Sequence, residues 1–300
     1  MDYRYTFTVF TPTYNRARLL GDVYASLLQQ TFQDFEWLIV DDGSSDDTEQ
    51  RVAQWQDEGR LHIRYFRKTN GGKHRAFNRG VKEAQGRLFL TFDSDDTCTP
   101  NALERLLFHW YAIPEGQRDG YSAVTALCAD ESGKIIGSAF PKDVFDSDAI
   151  ELGKYGVSGD KWGFQRTDIL RRFPFPEFDG EKFITESLVW NRIGMQYRTR
   201  YVNEVLQIHE YRGDGLTANV VRIRVNSPQG TTLYYREHLA HSITLGERLR
   251  TGINYLRFAL HGRQLINSFL RPPCARALLF MLMPFSIGLY LHDRWSLLET

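Results

Sequence analysis

One stretch constrains this chain more than any other. Leu88-Phe89-Leu90-Thr91-Phe92 runs apolar and then stops at three carboxylates, Asp93, Asp95 and Asp96, around Ser94. An apolar run of that length with aromatic content reads as a buried strand. Three acids within four residues repel one another and are stable as a set only beside solvent or a cation. A hard divalent ion with oxygen ligands, Mn²⁺ or Mg²⁺, is the natural counter-charge, and such ions are commonly shared with substrate phosphates. In an open α/β sheet the ligand crevice lies at the carboxyl ends of the strands, where these acids stand. A polar turn leading through Thr97–Pro100 into a helix accounts for the same residues without a metal, so their surroundings decide.

Upstream, the pattern alternates. Tyr5–Phe10 reads as a strand and is followed by the polar loop Thr11-Pro12-Thr13-Tyr14-Asn15-Arg16. Leu19, Leu20, Val23, Tyr24, Leu27 and Leu28 recur at helical spacing. Phe35–Val40 is a second strand, closed by Asp41-Asp42-Gly43-Ser44-Ser45-Asp46, where Ser45 or Asp46 would cap a helix running to about Asp57. Leu61–Phe66 is a third strand. Asn70-Gly71-Gly72-Lys73 then opens a helix over Arg75–Ala84, and backbone N–H groups at such a start, beside Lys73 and Arg75, suit an anion. The glycines lack the spacing of a P-loop. Strand–helix alternation of this kind predicts an α/β fold, a mostly parallel sheet with helices on both faces. Right-handed crossovers would put the loops Thr11–Arg16, Asp41–Asp46 and Asp93–Asp96 on one rim.

Taken in order and spacing, Thr11-Pro12-Thr13-Tyr14-Asn15-Arg16, Val40-Asp41-Asp42-Gly43-Ser44-Ser45-Asp46, Asn70-Gly71-Gly72 and Asp93-Ser94-Asp95-Asp96 resemble the inverting family 2 glycosyltransferases of GT-A fold. The resemblance covers Phe7 to about Thr217. It implies a GT-A α/β domain, a nucleotide-sugar donor, often UDP-linked, and transfer that inverts the anomeric carbon. By position it implies that Thr11, Pro12, Thr13, Asn15 and Arg16 line the nucleotide and that Asp42 accepts from the base. Asn70, Lys73, Asp93 and Ser94 would complete the donor site. Asp93 and Asp95 would form the DXD motif, with Asp96 extending it, and which of the three ligates the metal stays open.

Beyond Pro100, Asn101–Tyr111 is amphipathic, and Tyr121–Ala129 and Lys134–Ser138 flank a turn at Asp130-Glu131-Ser132-Gly133. Asp143–Lys154 is a polar insertion that would face an acceptor. Trp162 and Phe164 are candidates for stacking on a sugar, although core packing is the stronger reading for either alone. Glu186 opens a helix whose Leu188, Val189 and Ile193 would face inward. The resemblance offers a carboxylate pair here as general base toward the acceptor hydroxyl; Ser187 departs from that pair, so Glu186 alone inherits the role, with Glu181 in reserve. A glutamate favoured at a helix start accounts for Glu186 without chemistry. Strands over Tyr197–Val202 and Val205–His209 lead to His209, a candidate fourth metal ligand, and to Arg212, a candidate diphosphate contact.

From Ser227 the texture changes to helices, Leu233–Leu249, Ile253–Leu265 and Ala275–Leu291. This predicts a catalytic domain over residues 1–226 and a helical region over 227–300. The whole chain carries 37 Lys and Arg against 37 Asp and Glu, so nucleic acid is not an expected partner. The tail is basic, with seven Arg and three acids from Gly246 to Thr300. A basic helix with a strong apolar face reads as lying on an anionic membrane; a helical bundle that closes over the catalytic domain or forms a homodimer reads equally well. Three scattered cysteines and no signal-peptide pattern at Met1-Asp2-Tyr3-Arg4 lead us to expect a cytoplasmic protein, at most peripheral on the inner face of the membrane. The expected partners are a nucleotide-sugar donor and a saccharide or lipid-linked saccharide acceptor, as in cell-envelope polysaccharide or glycoconjugate synthesis. Transfer to a polyprenyl phosphate and a non-catalytic nucleotide-sugar-binding subunit are the alternatives. A nucleotidyltransferase would carry a glycine-rich basic loop where Pro12-Thr13-Tyr14-Asn15 stands.

Overall fold

The computed structural model describes residues 2–209, 220–241, 244–265 and 276–297. In chain order the first elements are β1 (Tyr5–Thr13), α1 (Leu20–Leu28), β2 (Phe35–Asp41), α2 (Thr48–Glu58), β3 (Ile63–Arg67), α3 (Lys73–Glu83) and β4 (Gly86–Thr91). Next come β5 (Asp96–Cys98), α4 (Ala102–Tyr111), β6 (Tyr121–Asp130), β7 (Val144–Ser147), α5 (Ala149–Leu152), β8 (Lys161–Arg166) and α6 (Thr167–Leu170). The chain continues through α7 (Ser187–Gly194), β9 (Arg198–His209), α8 (Val220–Val225), α9 (Pro228–His241), α10 (Leu245–His261) and α11 (Arg276–Ser296). By contacts it divides into two compact units, Met1–Pro174 with Val189–Tyr211, and Phe175–Leu188 with Arg212–Thr300.

In the first unit the described strands form one sheet in the order β3-β2-β1-β4-β8-β6-β9-β5, with β7 also on β9. The first four strands are parallel. Beyond β4 the sheet is mixed: β8 lies antiparallel between β4 and β6, while β9 runs parallel to β6. The parallel half therefore follows the strand–helix alternation, while β8 enters the sheet antiparallel to both of its neighbours. The two strands expected over 197–209 are one, β9, whose register slips between the pairs Thr125↔Tyr201 and Leu127↔Val205. Asn203 fills that irregularity, its side chain accepting from Phe140 N–H (2.8 Å) and donating to Phe140 O (3.0 Å). The expected hairpin after β6 is reduced to a turn and one bridge, Ala129↔Ile135.

Alternation along β1 places the core. Phe7 and Val9 face a cluster with Leu20, Val23, Trp37, Leu88 and Leu90, while Phe10 faces the other side against Phe77 of α3 and Phe89. Gly80 permits that second contact, since a Cβ there would meet the Phe10 ring at 2.4 Å. Trp162 and Phe164 are both core residues. The Trp162 indole donates to Thr91 O (2.7 Å) directly beneath the acidic loop, and Phe164 packs edge-on against Phe7 and Trp110.

In the second unit Tyr235, Leu239, Tyr255, Leu256, Phe258, Leu279 and Leu282 form a separate core between α9, α10 and α11. The run expected as one helix over Leu233–Leu249 divides instead. Thr244 is extended and its Oγ1 accepts from Glu247 N–H (3.1 Å), capping a new helix. No described helix is long and apolar enough to cross a membrane.

Candidate functional site

Because β1, β2, β3 and β4 run parallel, their carboxyl ends at Thr13, Asp41, Arg67 and Thr91 share one edge of the sheet. The loops that follow them are tied together by side chains. Asn15 holds a left-handed backbone (φ 53°), a conformation Asn tolerates better than most residues. From there its N–H donates to Ser44 Oγ (2.8 Å) and its Oδ1 accepts from Ser45 N–H (2.7 Å), while Ala17 N–H donates to Asp46 Oδ2 (3.0 Å). The first two loops are thus one clasped surface. Pro12 is half-buried beside it. Thr13 is buried and its Oγ1 has no hydrogen-bond partner among the described residues. Thr11 points into the core, where its hydroxyl accepts from the Trp37 indole (2.9 Å).

Asp42 is buried and organises the third loop. Its Oδ1 accepts from Lys68 Nζ and Gly71 N–H (2.9 Å), and its Oδ2 accepts from Gly72 N–H (2.7 Å) and the Asn70 amide (3.1 Å). The base contact expected of Asp42 would require one of these bonds to be given up. Neighbouring Asp41 is likewise committed, accepting from Ser44 N–H (2.8 Å), Ser44 Oγ (2.7 Å) and Tyr65 Oη (2.5 Å). Gly43, at φ 88°, lets the second loop run close against the third, since a Cβ there would meet Asn70 N and Lys68 O at 3.0 Å.

The acidic loop meets cations from both neighbours. Lys73, the first residue of α3, pairs with Asp93 (2.8 Å), and Arg16 pairs with Asp95 (2.8 Å). Asp96 is buried where β5 begins, opposite His209 in the β5–β9 register. Gln207 Nε2 donates to its Oδ2 (2.9 Å), and His209 Nδ1 lies 3.5 Å from its Oδ1. Burial pushes the Asp96 carboxyl up to about 8, and the charges of Asp93 and Asp95 add to that effect. Ser94 is buried within the same loop.

The fold therefore brings Asn15, Arg16, Asp42, Asn70, Lys73, Asp93, Ser94, Asp95, Asp96 and His209 into one connected set in the first unit. Among the described residues no three His, Cys, Asp or Glu side chains converge on a point that would hold a metal ion. The donor types, carboxylates with an imidazole, nonetheless suit a hard divalent cation. Burial, ahead of the charges of Asp93 and Asp95, favours the protonated form of Asp96, and a cation at the loop would favour its carboxylate instead. Glu186 is exposed and immediately precedes α7; it belongs to the second unit. As expected, Leu188, Val189 and Ile193 of that helix are buried. Glu181 serves the structure instead. Its carboxylate accepts from Gln229 N–H (2.7 Å) and Gly230 N–H (2.9 Å), closing the start of α9. Arg212 lies outside the described residues. Sequence reasoning missed Lys68 and Gln207. The first sits one turn from the glycines and is readable as a counter-charge to Asp42, whereas Gln207 reaches Asp96 only through the pairing of β5 with β9.

Comparison with known proteins extends these observations. Staphylococcus aureus TarS residues 1–349, in complex with UDP-GlcNAc, superposes over 98% of this chain and 92% of its own, at 20% identity and a TM-score of 0.66. The mannosyltransferase PcManGT of Pyrobaculum calidifontis, in complex with GDP-Man and Mn²⁺, does so over 98% and 83% at 19% identity and a TM-score of 0.55. The architecture is thus GT-A with a helical C-terminal region. In sequence, the GalNAc(5)-diNAcBac-PP-undecaprenol beta-1,3-glucosyltransferase of Campylobacter jejuni is 27% identical over 221 residues, 70% of this chain and 66% of that protein. The first curated relatives, uncharacterized glycosyltransferases, are matched over only 16–31% of their length. The family model for glycosyl transferase family 2 matches residues 8–169, more than half of the chain, which therefore belongs to that family of glycosyltransferases.

Proposed function

We propose that the rim formed by the loops after β1, β2, β3 and β4 binds a nucleotide-diphosphate sugar, UDP-linked, and that the chain transfers the sugar with inversion to an acceptor hydroxyl. The observation that carries this reading is the acidic loop itself, three carboxylates at a strand end with Lys73 and Arg16 paired to two of them. Support for a UDP-linked donor comes from the TarS complex with UDP-GlcNAc. Support for a saccharide acceptor on a lipid carrier comes from the name of the Campylobacter relative. The catalytic part is residues 1–226, with 227–300 as a helical accessory region.

The roles divide among the loops. Pro12, Thr13, Asn15 and Arg16 line the nucleotide, and Asp42 holds the 68–72 loop in shape beneath it. Asp93, Asp95, Asp96 and His209 would hold Mn²⁺ or Mg²⁺. When bound, such an ion stabilises negative charge developing on the departing diphosphate. Lys73 and Arg16, released from Asp93 and Asp95, turn to the diphosphate oxygens. Glu186 takes the proton from the acceptor hydroxyl as it attacks the anomeric carbon from the side opposite the leaving group. A single displacement of this kind needs no second carboxylate as nucleophile.

The test needs no known acceptor. The purified protein is incubated with UDP-sugars, and the first-formed anomer of the sugar released by slow hydrolysis is read by proton NMR. Inversion relative to the donor is expected. Release of the donor's own anomer would overturn the single-displacement mechanism, and absence of UDP release from every UDP-sugar would overturn the choice of nucleotide.

A further inference from the structure

Helix α11 is packed inside out. Its buried side carries Leu279 and Leu282, but also Ser286 and Asp293. Asp293 is fixed there by Arg257 and His261 of α10: Arg257 Nε donates at 2.6 Å, and His261 Nε2 lies 3.0 Å from the carboxylate. At about 100° per residue the opposite side carries Phe280, Met281, Pro284, Gly288, Leu291 and Trp295. Among them Phe280 is 76% exposed, Met281 65%, Leu291 58% and Trp295 67%. A helix of a water-soluble domain places these two sets the other way round. The only acid on α11 is the buried Asp293, so the outer side has no negative charge. Exposed Arg276 and Arg294 border that side near its two ends, and exposed Arg248 and Arg250 stand near the start of α10.

From this we infer that the outer side of α11 lies on a bilayer containing anionic lipid, parallel to its plane. The charge pattern selects that occupant. If the face paired with the same face of a second copy, in either direction, Arg276 and Arg294 would meet arginines with no acid on the outer side of α11 to neutralise them. An anionic lipid surface neutralises all of them while the aromatic and aliphatic side chains enter the headgroup boundary. Trp295 beside Arg294 suits that boundary, where an indole has both apolar and polar surroundings. A length of about 30 Å for 21 residues is enough for contact along several turns. Like the other described helices, α11 is not long and apolar enough to cross a membrane. The inference is independent of the donor chemistry, since it rests on the second unit alone.

Flotation of the full chain with vesicles tests it. The protein should float with vesicles containing phosphatidylglycerol at about tenfold or more the level seen with phosphatidylcholine alone, and added salt should reduce the difference. The variant Phe280→Ser/Leu291→Ser/Trp295→Ser should keep its thermal transition, because these side chains are outside the core, and should lose flotation. Arg276→Gln/Arg294→Gln should retain weak binding with no preference for the anionic vesicles. Failure of the wild-type chain to float with anionic vesicles overturns the inference, as does a triple variant that floats normally. A dimer in lipid-free buffer that the triple variant abolishes would assign the face to a second copy instead.

Discussion

Asp42 accepts four hydrogen bonds from a single five-residue segment, and this makes it the hinge between the sequence motif and the shape of the rim. Replacing it by Asn exchanges one acceptor oxygen for a donor that faces N–H groups. The expected result is a loss of about 1–3 kcal/mol in stability, with UDP and GDP weakened alike, because the loop is perturbed rather than a base contact. Calorimetric titration of both nucleotides checks this; selective loss of UDP would return Asp42 to direct base recognition. Asp96 makes a second residue-level prediction. Its carboxyl is pushed up to about 8, far above its unfolded value, so the folded protein holds a proton that the unfolded chain releases. That contribution to stability is complete at low pH and is lost as pH rises toward about 8. In metal-free buffer Asp96→Asn should therefore melt above the wild type at pH 8.5, and the gap should close toward pH 5, pH values chosen on about that window. A variant that melts below the wild type at both pH values would contradict the burial argument.

At the scale of elements, helix α9 begins on the Glu181 carboxylate, which accepts from two of its first backbone N–H groups. Glu181→Gln should cost about 1–2 kcal/mol in denaturant unfolding, in the range of lost helix caps, and should leave UDP affinity unchanged. An unchanged midpoint would show that the cap carries no weight. This cap was not legible in the sequence, because residues 181 and 229 are joined only by tertiary structure. The parallel half of the sheet was legible: β1, β2 and β4 are buried runs closed by polar loops, and each appears within a few residues of where the pattern puts it. The mixed half was not. Nothing in Lys161–Arg166 announces that β8 inserts between β4 and β6, since strand order is set by pairing over long sequence separations. Likewise the acids Asp93, Asp95 and Asp96 were visible at once, while their partners Lys73, Arg16 and Gln207 depend on which loops and strands become neighbours.

For the whole molecule, the rim loops and Glu186 belong to different compact units. If Glu186 takes the acceptor proton, Glu186→Gln should preserve donor affinity and lower acceptor-dependent turnover about 10²–10⁴-fold. A variant that keeps most of its kcat would remove Glu186 from the chemistry and leave it a helix-start residue. The rim itself is proposed to hold a nucleotide diphosphate together with a divalent cation. The most direct measurement is the thermal transition of the full chain with UDP-, GDP- and dTDP-sugars, each in Mn²⁺ and in EDTA, because a ligand bound only by the folded state raises that transition. A rise with UDP-sugars in Mn²⁺ is expected, one that EDTA removes and that Asp95→Ala abolishes without lowering the transition of the unliganded protein. Equal shifts in Mn²⁺ and EDTA, retained by Asp95→Ala, would contradict it.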